Sequence, residues 1–338
     1  MFRNVIISHV GSYLPKQVLT NEHFVPHFNA KGIKSRGLYN AIGRDIRHHA
    51  AEGENTFTMG LEAAKAVLAK SNTDVKDIDA VIFVSDAPEY LAPTTALALH
   101  SQLGTINAHY VFDMNQNCTG MIAAIDTVSR QLKTNKRLNK ALLVSAFHGS
   151  LMANDDDPAT YGTLSDGASA VILDVVVESK ERGVLDSEYK SDPIVNPENP
   201  IWKLMVYPEC GLSKLDDSSV PYKQKKLYWG HKEAEFLPEN AVVLHDWLLK
   251  NNNLKPTDVE HYIVSQFEPD IAEALNRELG IPMDRFTSTH REKGYIGNSS
   301  PMLTYEVLLE QKDVKKGEKL IVSSIGSGYT MSAFLYQF

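Results

Sequence analysis

The chain has 338 residues, of which 43% are hydrophobic and 22% are charged, a composition typical of an ordered globular protein. Its formal net charge of −8 and its lack of a basic tract argue against a general nucleic-acid-binding role. Two cysteines, Cys118 and Cys210, are too few for a disulfide framework and indicate a reducing, cytoplasmic setting. We expect residues 1–8 to form a strand rather than a signal peptide, and no apolar stretch approaches the length of a membrane span.

Strand-like and helix-like segments alternate along the chain. After the first strand, residues 62–69 have helical composition and apolar spacing. Residues 80–85 and 140–145 are short, nearly continuous apolar runs, as expected of strands buried on both faces. The segment that follows Cys118 is rich in small and apolar residues and predicts another helix. This alternation predicts an α/β fold with helices packed on sheets.

The two halves of the chain resemble one another. Residues 77–85 are similar to residues 258–265, and each segment is followed by a helix-like stretch that ends in Leu-Gly. Residues 140–145 are likewise similar to residues 318–323. Both pairs recur in the same order at an offset of about 180 residues, which indicates an internal duplication.

The duplication relates Cys118 to Asn298, because the same offset moves one position onto the other. We therefore expect the two residues on equivalent turns of the two halves. We assign residues 1–175 to the half with the cysteine. Residues 176–338 form the half with the asparagine, and they include a variable loop at 199–240.

Cys118 lies between a β-rich run and the start of a helix-like segment. A thiol at a helix N-terminus is near the positive end of the macrodipole, which favours the thiolate. Thiolate is the form that attacks acyl thioesters. The alternative is a buried cysteine that acts only as a small hydrophobic residue. The local pattern leaves both interpretations open.

Residues 192–238 form the least regular part of the sequence, rich in Pro, Lys, Tyr and Trp, with a lysine cluster at Lys223, Lys225 and Lys226. A solvated loop is the default interpretation, and a lid or a partner-docking surface is the alternative. Residues 154–157 form a polar run without EF-hand spacing, so we expect a solvated turn and predict no metal site.

Seven segments in register carry a resemblance to one family: residues 11–21, 58–64, 117–120, 165–170, 195–199, 297–300 and 326–330. On these segments the chain resembles 3-oxoacyl-(acyl carrier protein) synthase III, a condensing enzyme of the thiolase-like superfamily. The resemblance covers nearly the whole chain. It implies an α/β, thiolase-like, duplicated five-layer αβαβα fold and a homodimer, with a heterodimer of related chains as the variant.

The resemblance also implies an activity. An acyl group would move from coenzyme A or an acyl carrier protein onto Cys118, and no cofactor would be permanently bound. The backbone N–H groups of Cys118 and Ser327 would hold the oxyanion, and fixed donors of this kind contribute about 3 kcal/mol to the barrier. Asn298 would donate a hydrogen bond to the incoming group, with Ser265 and Gln266 beside it, so Cys118, Asn298 and Ser265 are the predicted catalytic residues.

The sequence departs from the family at its catalytic histidine. The family reads His-Gln-Ala-Asn at the end of a strand, and this chain has Ser265 and Gln266 there, with Glu268 in place of the asparagine. A serine hydroxyl is shorter, donates one hydrogen bond and cannot carry positive charge. Losing an electrophilic donor should slow the reaction considerably, so standard malonyl condensation is not expected.

Three interpretations follow, in order of preference. The first is transfer of the acyl group from Cys118 to an alcohol, an amine or another carbon nucleophile, without malonyl decarboxylation, in a specialised biosynthesis related to fatty acids or polyketides. The second is C–C condensation with a replacement acid/base. The third is a non-catalytic subunit of a heteromeric synthase. Candidates for the acid/base follow predicted strands: Glu268, Asp86, Glu89 and His148.

The sequence also departs from the family at the residues that bind the acyl donor. The family's coenzyme A clamp uses a Trp and an Arg after the first helix, whereas this chain has Tyr39 near the Trp position and Arg44 or Arg47 for the guanidinium. A carrier-protein donor would instead need a basic patch, for which the lysines at 223–226, or Arg44, Arg47 and His48, are candidates. We interpret Cys210 as structural or incidental.

Overall fold

The computed structural model describes residues 1–191, 206–230, 236–267 and 270–338. The strands found there are β1 (Phe2–Tyr13), β2 (Gln17–Thr20), β3 (Ile46–His49), β4 (Ala80–Val84), β5 (Tyr110–Met114), β6 (Lys140–His148), β7 (Asp166–Glu178), β8 (Gly183–Ser191), β9 (Val206–Tyr207), β10 (Tyr228–Trp229), β11 (His261–Ile263), β12 (Lys319–Gly326) and β13 (Thr330–Gln337). The helices are α1 (Asn21–Asn29), α2 (Arg36–Ala41), α3 (Thr56–Ser71), α4 (Thr95–Leu103), α5 (Gly120–Thr134), α6 (Gly149–Met152), α7 (Phe236–Asn251), α8 (Asp270–Leu279) and α9 (Ser300–Gln311). No helix in these ranges is long and apolar enough to span a bilayer.

Local sequence explains where the main helices begin and end. Helix α3 starts in a reciprocal capping box, in which Asn55 and Thr58 satisfy each other's backbone N–H groups. Helix α4 ends at Gly104 in the left-handed conformation, a backbone geometry that glycine adopts without strain. Strand β4 is buried at all five positions, which explains its unbroken apolar sequence.

The strands form two half-sheets with the same topology. The first has the order β1-β7-β6-β4-β5 and the second the order β8-β13-β12-β11, and a single pairing of Val5 with Gly183 joins them. In both, the first two pairs of neighbours are antiparallel and the third pair is parallel. The predicted duplication therefore appears directly as a repeated strand order. The proposed boundary after residue 175 falls inside β7, which continues to Glu178.

Helices and half-sheets stack in five layers. Helices α3 and α4 cover the outer face of the first half-sheet, and α7 and α8 cover that of the second. Helices α5 and α9 lie between the half-sheets, where their apolar side chains share one core with strands of both halves. This is the predicted five-layer αβαβα arrangement, and it explains why α5 is so rich in small and apolar residues.

Candidate active site

Cys118 and Asn298 occupy equivalent turns. Residues Asn117–Thr119 form one turn of 3₁₀ helix between β5 and α5, and Gly297–Ser299 form the same kind of turn immediately before α9. The two turns pack against each other where the buried helices begin. A Cβ atom added at Gly120 would lie 3.9 Å from the Cβ of Asn298. The duplication thus brings the thiol and the amide side by side.

The end of β12 fixes the turn that carries Cys118. Ser324 Oγ donates to the carbonyl oxygen of Cys118 at 3.0 Å, and Asn117 Nδ2 donates to the carbonyl of Ser327 at 3.0 Å. A Cβ atom on Gly326 would lie 3.3 Å from the Cβ of Asn117 and 2.9 Å from Thr330 Cγ2, so glycine permits the close approach of these two segments. Residues more than 200 positions away in the sequence therefore hold the turn that carries Cys118.

The Cys118 thiol is 6% exposed, and its burial raises its pKa to about 12. The negative charge of Asp86 contributes to the same increase. This differs from the expectation that the helix N-terminus favours the thiolate, because desolvation of the sulfur outweighs the helix dipole. The thiol is protonated at neutral pH, so it must lose its proton when it attacks.

Three donors oppose that increase in pKa. They are the Tyr295 hydroxyl and the backbone N–H groups of Ser327 and Cys118, each of which favours the thiolate of Cys118. Two of them are the predicted oxyanion donors. Both lie beside the sulfur to which an acyl group would be attached, and their role as oxyanion donors stays a prediction.

Asn298 presents an unused amide to the site. Its side chain is fully buried, and its Oδ1 accepts from Ser299 Oγ at 3.2 Å. Within the described residues its Nδ2 has no hydrogen-bond partner. A buried donor without a partner is costly unless a ligand uses it. The amide therefore has a donor to offer in the site, and its predicted role toward an incoming carbonyl oxygen stays a prediction.

Buried hydroxyl groups support the turn that carries Asn298. Ser299 Oγ lies 2.9 Å from Ser145 Oγ, and Ser145 Oγ lies 2.9 Å from Ser169 Oγ. Ser169 Oγ in turn donates to the carbonyl of Ser299 at 3.1 Å. This network links β6 and β7 of the first half to the asparagine turn of the second.

Gly297 offers a test of how tightly this turn is held. Its φ is +53°, and a Cβ atom there would lie 2.4 Å from Phe147 Cδ2. We expect Gly297→Ala to lower the free energy of unfolding by about 2–5 kcal/mol, because backbone strain adds to overpacking. Gly32, with φ of +76° and no atom within 4 Å of an added Cβ, is the matched control. Gly32→Ala should cost about 1 kcal/mol. Equal losses in urea unfolding of the two variants would contradict this account.

Ser265 and Gln266 follow β11 and are both buried. Ser265 Oγ accepts from the backbone N–H of Phe267 at 3.3 Å. Gln266 Oε1 accepts from the N–H groups of Thr289 and His290 at 2.6 and 3.2 Å, and its Nε2 donates to Val264 O at 2.7 Å. Gln266 is thus fully engaged in holding the loop at 288–290, so it is a structural residue rather than a group free to act on substrate.

Among the four acid/base candidates, Asp86 is close enough to influence the thiol. It follows β4, and its charge raises the pKa values of both Cys118 and Tyr295. Burial raises the pKa of Asp86 itself to about 6, although the backbone N–H groups of Asp86 and Ala87 oppose the increase. Its Oδ1 has no partner within the described residues. A carboxylate with this pKa is suited to accept a proton near neutral pH.

The other candidates do not join this group. Glu89 is exposed. His148 lies 4.0 Å from Asp166, measured from Nε2 to Oδ2, and strand alternation directs it to the face opposite Phe147, which packs in the same cluster as Cys118. The structure therefore corrects the assignments of Glu89 and His148. Glu268 lies outside the described residues.

The sequence reasoning missed Tyr295. Its side chain is 2% exposed and packs in the cluster that contains Cys118, Phe147 and Phe267. Burial, Cys118 and Asp86 raise the pKa of its hydroxyl well above its ordinary value. Its position three residues before Asn298 gives no chemical signal in a single sequence, because an aromatic residue beside a turn is usually part of the core.

Family models match both halves of the chain. Residues 112–193 match 3-oxoacyl-(acyl carrier protein) synthase III, and residues 249–338 match the C-terminal region of the same family. Together they include more than half of the chain, with Cys118 and Asn298. The chain is a 3-oxoacyl-(acyl carrier protein) synthase III-like protein.

Curated relatives of this synthase III-like protein match it from end to end. The beta-ketoacyl-(acyl carrier protein) synthase III of Wolbachia pipientis wMel is 27% identical over all of both chains. That of Phocaeicola vulgatus is 28% identical over 98% of this chain and 95% of the relative. The protein is accordingly an acyl-transferring or condensing enzyme of the ketoacyl synthase III type.

Solved structures share the fold of the synthase III-like protein. The 3-oxoacyl-(acyl carrier protein) synthase III of Aquifex aeolicus superposes with a TM-score of 0.83 at 22% identity, covering 99% of this chain and all of that one. The priming beta-ketosynthase of the R1128 polyketide pathway gives a TM-score of 0.86 at 17% identity, covering 100% and 97% of the two chains. These likenesses confirm the thiolase-like fold class.

The predicted donor-binding residues of this synthase III-like protein are internal. Arg44, Arg47 and Tyr39 are fully buried. Arg44 donates to the carbonyls of Gln266 and Phe267 at 3.1 Å each, and Arg47 Nε donates to Gly162 O at 2.6 Å. A surface clamp for coenzyme A needs exposed groups, so the structure corrects this assignment. The two guanidinium groups stabilise the second half and the region around α6 instead.

The residues proposed for the alternative basic patch also interact with other groups of the same chain. Lys223 pairs with Asp156, and Lys226 donates to the carbonyl of Leu151. Lys225 donates to the carbonyls of Leu215 and Asp217 at 2.6 and 3.0 Å. His48 is also held, with Nδ1 2.7 Å from Pro15 O. The lysine cluster therefore folds residues 206–230 onto the body of the protein, and much of its charge is used within the chain.

Proposed function

We propose that this protein takes an acyl group from a thioester of coenzyme A or an acyl carrier protein onto Cys118, and passes it to an acceptor other than a decarboxylating malonyl thioester. One observation carries the proposal: the partly buried Asp86, whose Oδ1 lacks a partner within the described residues, lies near enough for its charge to raise the pKa of Cys118, while Ser265 stands where the family has its histidine. This combination supplies a base and lacks a cationic acid.

In the acylation half-reaction, the proton of the Cys118 thiol passes to the Asp86 carboxylate as the sulfur attacks the thioester carbonyl. The backbone N–H groups of Cys118 and Ser327 hold the oxyanion that forms. The bond from the carbonyl carbon to the donor's sulfur then breaks, and the leaving thiolate takes the proton from Asp86. The thioester is conserved, because one C–S bond forms as another breaks.

In the transfer half-reaction, Asp86 removes a proton from the acceptor as its oxygen, nitrogen or carbon attacks the acyl group. The Cys118 sulfur leaves and recovers the proton from Asp86. With its pKa raised to about 6, Asp86 is largely ionised at neutral pH yet basic enough to assist. Asn298 Nδ2 is suited to hold a carbonyl oxygen of the acceptor, and specialised fatty acid- or polyketide-like biosynthesis is the proposed setting.

The same base supports a second candidate function. A carboxylate that removes a proton from the carbon next to a thioester carbonyl would generate a carbanion without decarboxylation, and C–C condensation would follow. Asn298 could stabilise the enolate oxygen in that case. The third interpretation, a non-catalytic subunit, is less favoured because the unpartnered groups of Asp86 and Asn298 are retained beside the thiol.

Intact-mass measurement tests the proposal. Incubation with acyl-coenzyme A or with acyl carrier protein should add one acyl group, and Cys210→Ser, the matched control, should gain the same mass. No gain with either donor would contradict the acyltransferase proposal and favour a non-catalytic subunit. Malonyl thioesters should release carbon dioxide at no more than the background rate. Efficient release by the isolated protein would contradict the proposed acceptor class.

We propose that two copies associate through β5. This strand ends the first half-sheet and is half-buried along its length. Exposed apolar side chains lie on the segments around it: Tyr90, Leu91, Leu97 and Ile106. An unpaired edge with apolar neighbours favours pairing with a second chain. Light scattering should give twice the chain mass of 37.6 kDa for a homodimer, and a monomer would contradict the proposal.

A further inference from the structure

Tyr295 is held in one orientation beside the site. It lies between Gly294 and Gly297, both with positive φ, and its carbonyl accepts from the backbone N–H of Ser165 at 2.9 Å. Its ring meets those of Phe147 and Phe267 edge to face, with centroid separations of 6.3 and 5.1 Å. Packing on both sides therefore fixes where the hydroxyl points.

The hydroxyl of Tyr295 is buried and has no hydrogen-bond partner within the described residues. It lies in the same apolar cluster as Cys118, and the negative charge of the Cys118 thiolate contributes to the increase in its pKa. A buried phenol usually finds a hydrogen-bond partner. Here it joins Asn298 Nδ2 as a second unsatisfied donor next to the same cysteine.

Ser265 is a short side chain at the family's histidine position. Its Oγ accepts from the backbone N–H of Phe267 in the loop after β11, and no hydrogen bond in the described part of the chain joins it to Cys118. The ring of Phe267 lies against that of Tyr295. Tyr295, in contrast, packs in the same cluster as Cys118 and has an unpartnered hydroxyl.

We propose that Tyr295 is a catalytic residue, whose unpartnered hydroxyl donates a hydrogen bond to the Cys118 sulfur as the thiolate forms. This inference deepens the proposed function and rests on it. As the Cys118 proton passes to Asp86, negative charge grows on the sulfur and the Tyr295 hydroxyl stabilises it. The same bond forms again when the acyl group leaves and the thiolate is restored.

The phenol keeps its own proton throughout. Its pKa is well above the ordinary value because it is buried beside Cys118 and Asp86, while Arg44, over its ring at 5.8 Å, acts in the opposite direction. Tyr295 is therefore a fixed hydrogen-bond donor, and Asp86 is the group that moves the proton. These two tasks are thus divided between two side chains, neither of which needs to carry a positive charge.

Tyr295→Phe tests the proposal, because it removes only the hydroxyl. We expect the single-turnover rate of Cys118 acylation to fall about 10²-fold, as when one oxyanion donor is removed. The KM for the thioester donor should change little, because the bond strengthens only as charge develops. Tyr262→Phe is the matched control: its phenol lies in the same cluster but donates to Pro256 O at 2.9 Å. An acylation rate for Tyr295→Phe within twofold of the wild type would overturn the proposal.

Alkylation of Cys118 by iodoacetamide separates this inference from the proposed function. Without its hydroxyl donor the thiolate is less stable, so alkylation of Tyr295→Phe between pH 8 and 10 should be about 3- to 10-fold slower than in the wild type. This measurement needs no acyl donor. If the wild type forms no acyl adduct, the proposed function fails. An unchanged alkylation rate would show that Tyr295 does not act on the sulfur.

Discussion

Replacing Cys118 by alanine is expected to abolish acyl-adduct formation and to lower acyl transfer about 10⁶-fold, the scale of loss when a covalent nucleophile is deleted. The fold should tolerate the change, because the thiol fills a small volume in an apolar cluster and its loss leaves the supporting bonds of Ser324 and Asn117 intact. Single-turnover assays with a radiolabelled thioester measure the loss. Cys210→Ala is the control and should keep the wild-type rate.

The raised pKa of Cys118 adds a second observable. Because burial raises it to about 12, alkylation by iodoacetamide should be slow at pH 7 and accelerate about tenfold per pH unit between pH 8 and 10. An acyl adduct on Cys118→Ala, or wild-type alkylation that is already maximal at pH 7, would contradict this description of the nucleophile.

Replacing Asp86 by asparagine is expected to lower acyl transfer by about 10²- to 10⁴-fold, the contribution of a general base. In the wild type the rate should rise as the pH increases through about 6, because only the ionised carboxylate accepts a proton. That rise should be missing from the variant. Glu89→Gln changes an exposed neighbouring carboxylate and should leave both the rate and its pH dependence unaltered.

Asp86→Asn should also raise the free energy of unfolding at neutral pH. The pKa of Asp86 is raised on folding, so the folded state is favoured while the carboxyl is protonated, and this advantage is lost as the pH rises from about 4 to about 6. Above that range, ionised Asp86 costs about 2–3 kcal/mol, which asparagine removes. Urea unfolding should show Asp86→Asn more stable than the wild type at pH 7, with the difference vanishing near pH 4. A variant that is less stable at pH 7, or fully active, would contradict the assignment.

Periodicity and repetition in the sequence were sufficient for the α/β class and the duplication, whereas the five-layer arrangement was implied by the resemblance to the family. Strands buried on both faces, such as β4, leave a continuous apolar run, and left-handed helix ends leave a glycine, as at Gly104. The offset between Cys118 and Asn298 was informative because a duplicated chain repeats its turns as well as its strands. These features are local in sequence, so composition and spacing record them.

The site predictions that differ from the structure depend on burial, which cannot be read from the local sequence. Arg44 and Arg47 are charged residues in a polar-looking segment, the usual sign of an exposed position, yet both bind backbone carbonyl groups inside the protein. The helix dipole was expected to lower the pKa of Cys118, whereas the surrounding core raises it. Tyr295 was missed for the same reason, since its role depends on which hydroxyl groups lack partners.

The two halves contribute different chemistry to one centre. The first copy of the strand–turn–helix unit brings the sulfur, and the second brings the amide, so the reacting groups lie on either side of an internal axis of pseudosymmetry. Each copy has therefore become specialised, and neither would constitute an active centre if expressed as a separate fragment. The bond from Ser299 to Ser145 crosses that axis and keeps the two specialised copies in register.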